Sequence, residues 1–255
     1  RLEKLGDVTY FDPLPKNGEE YLKRVDGADI ICSGTAGLKD AYPKLKNVYV
    51  SVGFVSVAFV DLALLKKNNV TVSNAPGANR HAVSEWIMFM VLLLMRNFSD
   101  ALNRKETYRK NGALPPRTLG LAGNKIAILG QGNIGKRVAD LATTFEMDAS
   151  YFKRGDNLAA SVKDADVVVD VLSTNPSTKG LLDPDFFKSM KRGSFFVTVT
   201  GREIVDYNGL LAALDSGQLN GAASDCGDIL VGDTENPFYQ KLLNHSKMFV
   251  TPHVS

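Results

Sequence analysis

The sequence predicts a two-domain α/β protein, with a doubly wound parallel sheet preceded by a smaller α/β domain. Three observations predict it. Short β-rich apolar runs alternate with helical stretches, which is the rhythm of parallel strands joined by crossovers. The alternation falls into two series, one before residue 78 and one from Lys125 onward. Between them lie an apolar stretch, Trp86–Met95, and a breaker segment, Asn111–Arg117, that carries Gly112, Pro115 and Pro116.

In the first series Asp29–Cys32, Val48–Val52 and Val70–Ser73 read as strands, with helical patterns near Glu19–Val25 and Val60–Lys67. A long helix is then expected from Ala82 past Arg96 and on to Lys110, bridging the two domains. In the second series the strands are Ile126–Leu129, Ala149–Phe152, Asp166–Leu172, Ser194–Val199, Gly221–Ser224 and Met248–Thr251. Ile134–Phe145, Pro184–Met190 and Asn208–Ser216 read as the helices between them. The boundaries follow: 1–78 a smaller domain, 79–116 an interdomain helix and linker, 117–250 the larger domain, and 251–255 a return toward the smaller one.

Composition narrows the function classes. Of 255 residues 44% are hydrophobic and 23% charged, which excludes a disordered chain. Thirty Lys and Arg stand against 28 Asp and Glu, net +2 and interspersed, so neither nucleic acid nor an anionic membrane is the expected partner. The longest apolar run, Trp86–Met95, is half of the roughly 20 residues that a membrane span needs. Cys32 and Cys226 lie far apart and form no CxxC, so no disulfide framework or metal site is expected, and a reducing cytoplasm is the expected compartment. No signal peptide is visible, although the chain opens on Arg1 rather than Met, which leaves room for an upstream segment.

One motif carries chemistry. Asn124–Leu129 runs into Gly130–Gln131–Gly132–Asn133–Ile134–Gly135, and a helical pattern follows. This is G-x-G-x-x-G between a strand and a helix, the dinucleotide fingerprint of a Rossmann-type sheet. Gly130 permits the tight turn, Gly132 lets the main chain approach a pyrophosphate, and Gly135 lets the helix pack closely on the strand. The helix N-terminus, from Asn133 and Ile134, offers amide groups to the phosphates. At the end of the second strand an NAD-binding chain usually carries a carboxylate for the ribose hydroxyls. Here Tyr151–Phe152 is followed by Lys153–Arg154, and Asp156 comes after Gly155. Two cations suit a 2′-phosphate, which predicts NADP as the cofactor, with NAD the alternative.

From Lys44 onward the residues resemble the D-2-hydroxyacid dehydrogenase family. The resemblance rests on Asn74–Asn79 with Ala82–Glu85, on Thr118–Leu119 before the glycine turn, and on Thr178–Leu182. It rests also on Ile204–Asp206 with Leu214–Gly217, and on Thr251–Pro252–His253. It implies that the smaller domain is a flavodoxin-like α/β substrate domain, and that a nicotinamide cofactor exchanges hydride with a 2-keto acid in a cleft between the domains. His253 would exchange the proton, an Arg would grip carboxylate and carbonyl, and a Glu would hydrogen-bond the His. Main-chain amides near Ser56 and Val57 would hold the substrate carboxylate. Leu172, Ser173, Thr178, Val199, Thr200, Gly201 and Asp225 would line the cofactor, with Asp225 at the nicotinamide amide. The family commonly dimerises, which implies a homodimer, with Trp86–Met95 as a candidate surface.

The sequence departs from the pattern in three places. The family's Asn-x-x-Arg-Gly becomes Thr198–Val199–Thr200–Gly201–Arg202, so Arg202 is the candidate catalytic cation one step late. No Glu-Pro follows Asp225; Cys226–Gly227–Asp228 stands there, with Asp228 and Glu235 as stand-ins and Cys226 read as packing. The Gly-x-Asp of the substrate loop is missing, with Ser56 and Ala58 in its place. The family's first strand and C-terminal helix are also expected to be missing from this stretch of chain. His81 reads as surface and His245 as a loop residue. Two functions compete: a reductase of small 2-keto acids, weaker than the family pattern, or a cofactor-binding module that senses redox state or binds a partner.

Overall fold

A computed structural model describes residues 2–55, 57, 59–98, 118–225 and 235–255. The chain divides into two compact units, Arg1–Ala78 and Asn79–Ser255.

The smaller unit is a parallel sheet in the order β1-β2-β3, with β1 at Ile30–Ser33, β2 at Val48–Val52 and β3 at Val70–Ser73. Helix α1 (Gly18–Arg24) starts at Asn17, whose side chain accepts the Glu20 amide at 2.9 Å. Helix α3 (Leu62–Lys67) starts at Asp61, which accepts the Ala63 and Leu64 amides. Such caps satisfy amides that the first turn leaves without partners. A one-turn helix, α2 (Leu38–Ala41), has too few residues to show a period and was not expected from the pattern. Tyr21, Ile31, Leu38, Val48, Val50, Val52, Leu65 and Val70 form the core of this unit.

The larger unit opens with α4 (Arg80–Met95). Its buried face, which includes Val83, Ile87, Val91, Leu94 and Met95, packs in one cluster with the sheet and with the helix after the glycine turn. The helix was expected to run past Arg96, and it stops there. Asn97 takes a positive φ of 47°, which a right-handed helix cannot continue, and the Met95 carbonyl turns to the Leu119 amide at 2.8 Å. The remainder of the expected helix, to Lys110, lies outside the described residues.

Six parallel strands follow: β4 (Lys125–Leu129), β5 (Asp148–Phe152), β6 (Val167–Asp170), β7 (Ser194–Thr198), β8 (Leu219–Asp225) and β9 (Met248–Thr251). Their order is β5-β4-β6-β7-β8-β9. The chain leaves β4 for one side and returns on the other, so the sheet's switch point lies at the carboxyl end of β4. Among the described residues the helices are α5 (Asn133–Thr144), α6 (Leu158–Val162), α7 (Pro184–Ser189), α8 (Tyr207–Asp215) and α9 (Pro237–Leu243). The short α6 and α9 were missed; each is a one- to two-turn helix held by an asparagine cap, Asn157 or Asn236. One sheet face buries Ala127, Val168, Phe196 and Ala222 under α7 and α8, and the other buries Ile126, Ile128, Val167 and Val197 under α4 and α5. Burial on both faces explains why these strands read as continuous apolar runs. Phe187 and Phe196, both fully buried, meet edge to face at 5.3 Å; each contributes roughly 2–3 kcal/mol by leaving water.

Candidate active site

The glycine turn has the geometry its three glycines predict. Gly130 sits at φ +114°, and a Cβ there would meet the Val171 carbonyl oxygen at 3.0 Å. A Cβ on Gly135 would fall 1.9 Å from the Gly130 carbonyl oxygen, so the helix touches the strand end backbone to backbone. Gly132 faces open space, with nothing within 4 Å of where a Cβ would stand. Among the described residues six helices are capped by Asn or Asp side chains, whereas α5, like α2 and α4, has no such cap. Its first amides therefore keep their donors and the positive end of the helix dipole for an anion. An open approach and uncapped amides at a switch point fit the pyrophosphate of a dinucleotide.

At the end of β5, Asp156 folds back: its carboxylate accepts the Lys153 amide at 2.8 Å, and its amide donates to the Lys153 carbonyl at 3.0 Å. The nearest carboxylate is thus engaged in its own turn. Lys153 and Arg154 are exposed and form no ion pair among the described residues.

The Thr-Pro-His segment closes on Asp225. Thr251 Oγ1 donates to Asp225 Oδ1 at 2.6 Å, the Val254 amide donates to the same oxygen at 3.0 Å, and the Ser255 amide donates to Oδ2 at 2.9 Å. Asp225 holds the chain on both sides of His253, which takes a positive φ of 53° and leaves its ring exposed. A non-glycine residue in that region costs on the order of 1 kcal/mol and persists where its neighbours over-determine it. Burial alone would raise the Asp225 carboxyl, but the hydrogen bonds from Ser255, Thr251 and Val254 outweigh it and hold the group below the usual range. Asp225, expected at a nicotinamide amide, holds the His253 turn through these bonds. The same bonds tie residues 251–255 to the end of β8, and these residues belong to the larger unit.

Asp170 was overlooked in the sequence. It ends β6, is fully buried, and accepts three bonds. The Leu172 amide donates to Oδ1 at 3.1 Å, while the hydroxyls of Thr198, at 2.9 Å, and of Thr200 both donate to Oδ2. Asp170, Thr198 and Ser224 stand in register across β6, β7 and β8, all fully buried. Tyr207 from α8 links this row: its hydroxyl donates to the Thr200 carbonyl at 3.1 Å and lies 2.7 Å from Ser224 Oγ. Burial pushes the Asp170 carboxyl up to about 6, against the pull of the Thr200, Leu172 and Thr198 donors. The signal was present: a carboxylate inside the run Val167–Leu172 must find partners when it is buried.

The other expected residues take these places. Arg202 stands over the Phe238 ring on α9, 5.9 Å from its centroid; the one-step shift sends the guanidinium to that face. Gly201, at the family's Arg position, accepts the Ile204 and Val205 amides through its carbonyl. Leu172 and Val199 pack on opposite core clusters. The Thr178 hydroxyl donates to the Ser173 carbonyl at 2.8 Å and accepts the Asn175 amide, so it shapes its own turn. Val57 packs on the smaller unit's core, and its carbonyl accepts the Val60 amide. His81 is exposed in α4. His245 accepts the Lys247 amide at Nδ1, which leaves Nε2 to donate to Asp215 at 3.1 Å. Glu235 is exposed. Ser56, Ala58, Cys226 and Asp228 lie outside the described residues. Among the described residues no cluster of His, Cys, Asp or Glu could hold a metal, and no helix is long and apolar enough to cross a membrane.

A doubly wound parallel sheet with an open glycine turn at its switch point defines a dinucleotide-binding α/β protein. The chain belongs to the D-isomer specific 2-hydroxyacid dehydrogenase family: residues 88–255 match its NAD binding domain and residues 1–114 its catalytic domain. It is 26% identical to a D-lactate dehydrogenase of Staphylococcus aureus, over 92% of this chain and 78% of that one. It is 29% identical to a D-3-phosphoglycerate dehydrogenase of Haemophilus influenzae, over 86% of this chain and 56% of that one. Its fold matches the crystal structure of a D-lactate dehydrogenase with NAD+ from Lactobacillus jensenii, with TM-score 0.81, 20% identity, and coverage of 99% of this chain and 84% of that one.

Proposed function

We propose that the protein transfers hydride between a nicotinamide dinucleotide, NADP(H) in preference to NAD(H), and a small 2-keto or 2-hydroxy acid. The observation that carries this reading is the exposed His253 turn held by Asp225 on the same sheet edge as the open glycine turn. Membership of a 2-hydroxyacid dehydrogenase family supports the substrate class. The cofactor, when bound, supplies the hydride. The protein then has two tasks. Gly130, Gly132, Asn133, Ile134 and Gly135 hold the pyrophosphate through main-chain amides, and Lys153 and Arg154 meet the 2′-phosphate. The His253 ring gives a proton to the keto oxygen in reduction and takes it from the hydroxyl in the reverse direction. Amides near Ser56 and Val57 are the proposed grip on the substrate carboxylate. We further propose a homodimer through the outer side of α4, where Phe89 is 58% exposed; of the expected Trp86–Met95 surface, Ile87, Met88, Met90, Val91, Leu94 and Met95 are instead buried in the larger unit's core, and sedimentation of the native protein and of Phe89→Ser tests the proposal.

A second reading, a cofactor-binding module with little turnover, is favoured by one observation: Gly201 replaces the family's Arg, and Arg202 lies over Phe238. The deciding experiment gives native protein and His253→Gln reduced cofactor and a panel of 2-keto acids, and follows the loss of reduced-cofactor absorbance. Native turnover that drops at least about 100-fold in the variant supports the first reading. Dinucleotide binding with no turnover of any keto acid establishes the second, and failure to bind either dinucleotide overturns both.

A further inference from the structure

Two strand-end segments that line the expected cofactor crevice hang from one buried carboxylate. Leu172–Ser173 follows β6, and its position is fixed through the Leu172 amide on Asp170 Oδ1. Val199–Gly201 follows β7, and it is fixed through the Thr198 and Thr200 hydroxyls on Asp170 Oδ2. The Thr200 amide also donates to Thr198 Oγ1 at 3.0 Å, which tightens the β7 exit further. Each oxygen therefore serves a different segment. In open α/β sheets ligands bind outside the carboxyl ends of the strands, where both segments emerge.

We propose that Asp170 is a positioning residue that holds the Leu172–Ser173 and Val199–Gly201 segments in the geometry that binds the dinucleotide, without touching the ligand itself. This rests on the dinucleotide-binding reading above. An ordinary core residue at this place would be apolar, because the neighbouring positions Val168, Phe196 and Ala222 on the same sheet face are. A buried carboxylate with three donors aimed at it forms instead a fully satisfied network, and such a network fixes one geometry where apolar contacts admit several. Its continuation through Tyr207 to Ser224 ends one residue from Asp225, which holds the His253 turn. The exits of β6, β7 and β8 are thus each set by a buried polar group.

The test uses the full chain and measures three quantities on native protein, Asp170→Leu and Asp170→Asn: NADH and NADPH affinity, amide hydrogen exchange, and thermal midpoint. Asp170→Leu keeps the branching at Cγ and removes every acceptor. It is expected to weaken both dinucleotides by at least about tenfold, and to speed exchange at Leu172 and Thr200 while Val167–Val169 stay protected. Asp170→Asn keeps an acceptor for the Leu172 amide and a donor for a threonine oxygen. It is expected to restore affinity to within about threefold of native, a rescue that general damage to the core would not give. Native-like affinity in Asp170→Leu overturns the proposal. So does equal weakness of Asp170→Leu and Asp170→Asn. If native protein binds neither dinucleotide, the dinucleotide reading falls, and the clamp is judged on exchange alone: unchanged exchange at Leu172 and Thr200 overturns it. If Asp170→Leu does not fold, Thr198→Val takes its place; at equal size it removes one donor to Asp170 and the acceptor of the Thr200 amide. Faster exchange at Leu172, in the other segment held by Asp170, with weaker binding supports the clamp, and native values for both overturn it.

Discussion

The same methyl group added at two positions of the glycine turn is expected to have opposite effects. In Gly135→Ala the new carbon falls 1.9 Å from the Gly130 carbonyl oxygen, where real contacts do not come under 3.0 Å. The start of α5 must therefore move by more than 1 Å from a backbone atom that cannot swing aside. That movement would lift Val138 and Ala142 out of their contacts with the sheet. Overpacking of this kind costs about 3 kcal/mol, and the better helix propensity of alanine returns about 1 kcal/mol. The net loss of about 2 kcal/mol should lower the thermal midpoint by about 4–8 °C for a unit of this size. In Gly132→Ala the methyl enters open space at φ −76° and ψ −168°, which alanine adopts freely, so the midpoint should stay within about 1 °C. The same methyl stands where the pyrophosphate would approach, so dinucleotide affinity should fall at least about tenfold. Differential scanning calorimetry and a dinucleotide titration on both variants decide the matter. A stable Gly135→Ala, or a Gly132→Ala that binds dinucleotide like the native protein, refutes the reasoning.

Three further outcomes follow from the electrostatics. Arg154→Ala should weaken NADPH by at least about tenfold and leave NADH nearly unchanged, because only NADPH carries the group a guanidinium would grip; equal losses would refute the cofactor preference. Asp170 is pushed up to about 6 in the fold, while an unfolded aspartate titrates near 3.9, so the native state holds that proton more tightly. Its contribution to stability is therefore largest in acid, declines as pH rises between about 4 and 6, and is flat above that. Asp170→Asn should gain on the native protein across that window, by up to about 3 kcal/mol at pH 7, and a gap independent of pH would refute the assignment. Asp225 has the reverse sign: its carboxyl is held low by the His253 turn, so its stabilisation is complete above about pH 4 and is lost on further acidification. Asp225→Asn should flatten that acid-side slope in urea titrations, and an unchanged slope would show that the grip contributes nothing.

The sequence was most legible where local chemistry and the global fold agree. Strands β2, β3 and β9 lie where their β-branched runs place them, and the glycine turn has the shape its spacing dictates. Three of the short helices were not legible. Leu38–Ala41 and Leu158–Val162 are too short for an apolar period, and the Asn157 and Asn236 caps that start Leu158–Val162 and Pro237–Leu243 also suit ordinary turns. The end of α4 was misread because its apolar pattern continues to Met95 and nothing obvious stops it; Asn97, a residue that tolerates a positive φ, is the signal.

The catalytic side was harder to read because its residues act through one another. Thr198 stands where the resembled pattern has Asn, and Gly201 stands at its Arg; taken one by one they read as losses. In the fold, Thr198 and Thr200 both turn their hydroxyls to Asp170, Gly201 offers its carbonyl to Ile204 and Val205, and the displaced cation settles over Phe238. The β7 exit is thus built around a carboxylate from the neighbouring strand, a partner 28 residues away from Thr198 that no local pattern announces. The changed positions therefore belong together. A return of arginine at position 201 alone would have to fit a turn already fixed by Asp170, so Gly201→Arg should not raise turnover of a 2-keto acid by itself. The main chain at Gly201 is set by its bonds to Ile204 and Val205, and a side chain there inherits that direction.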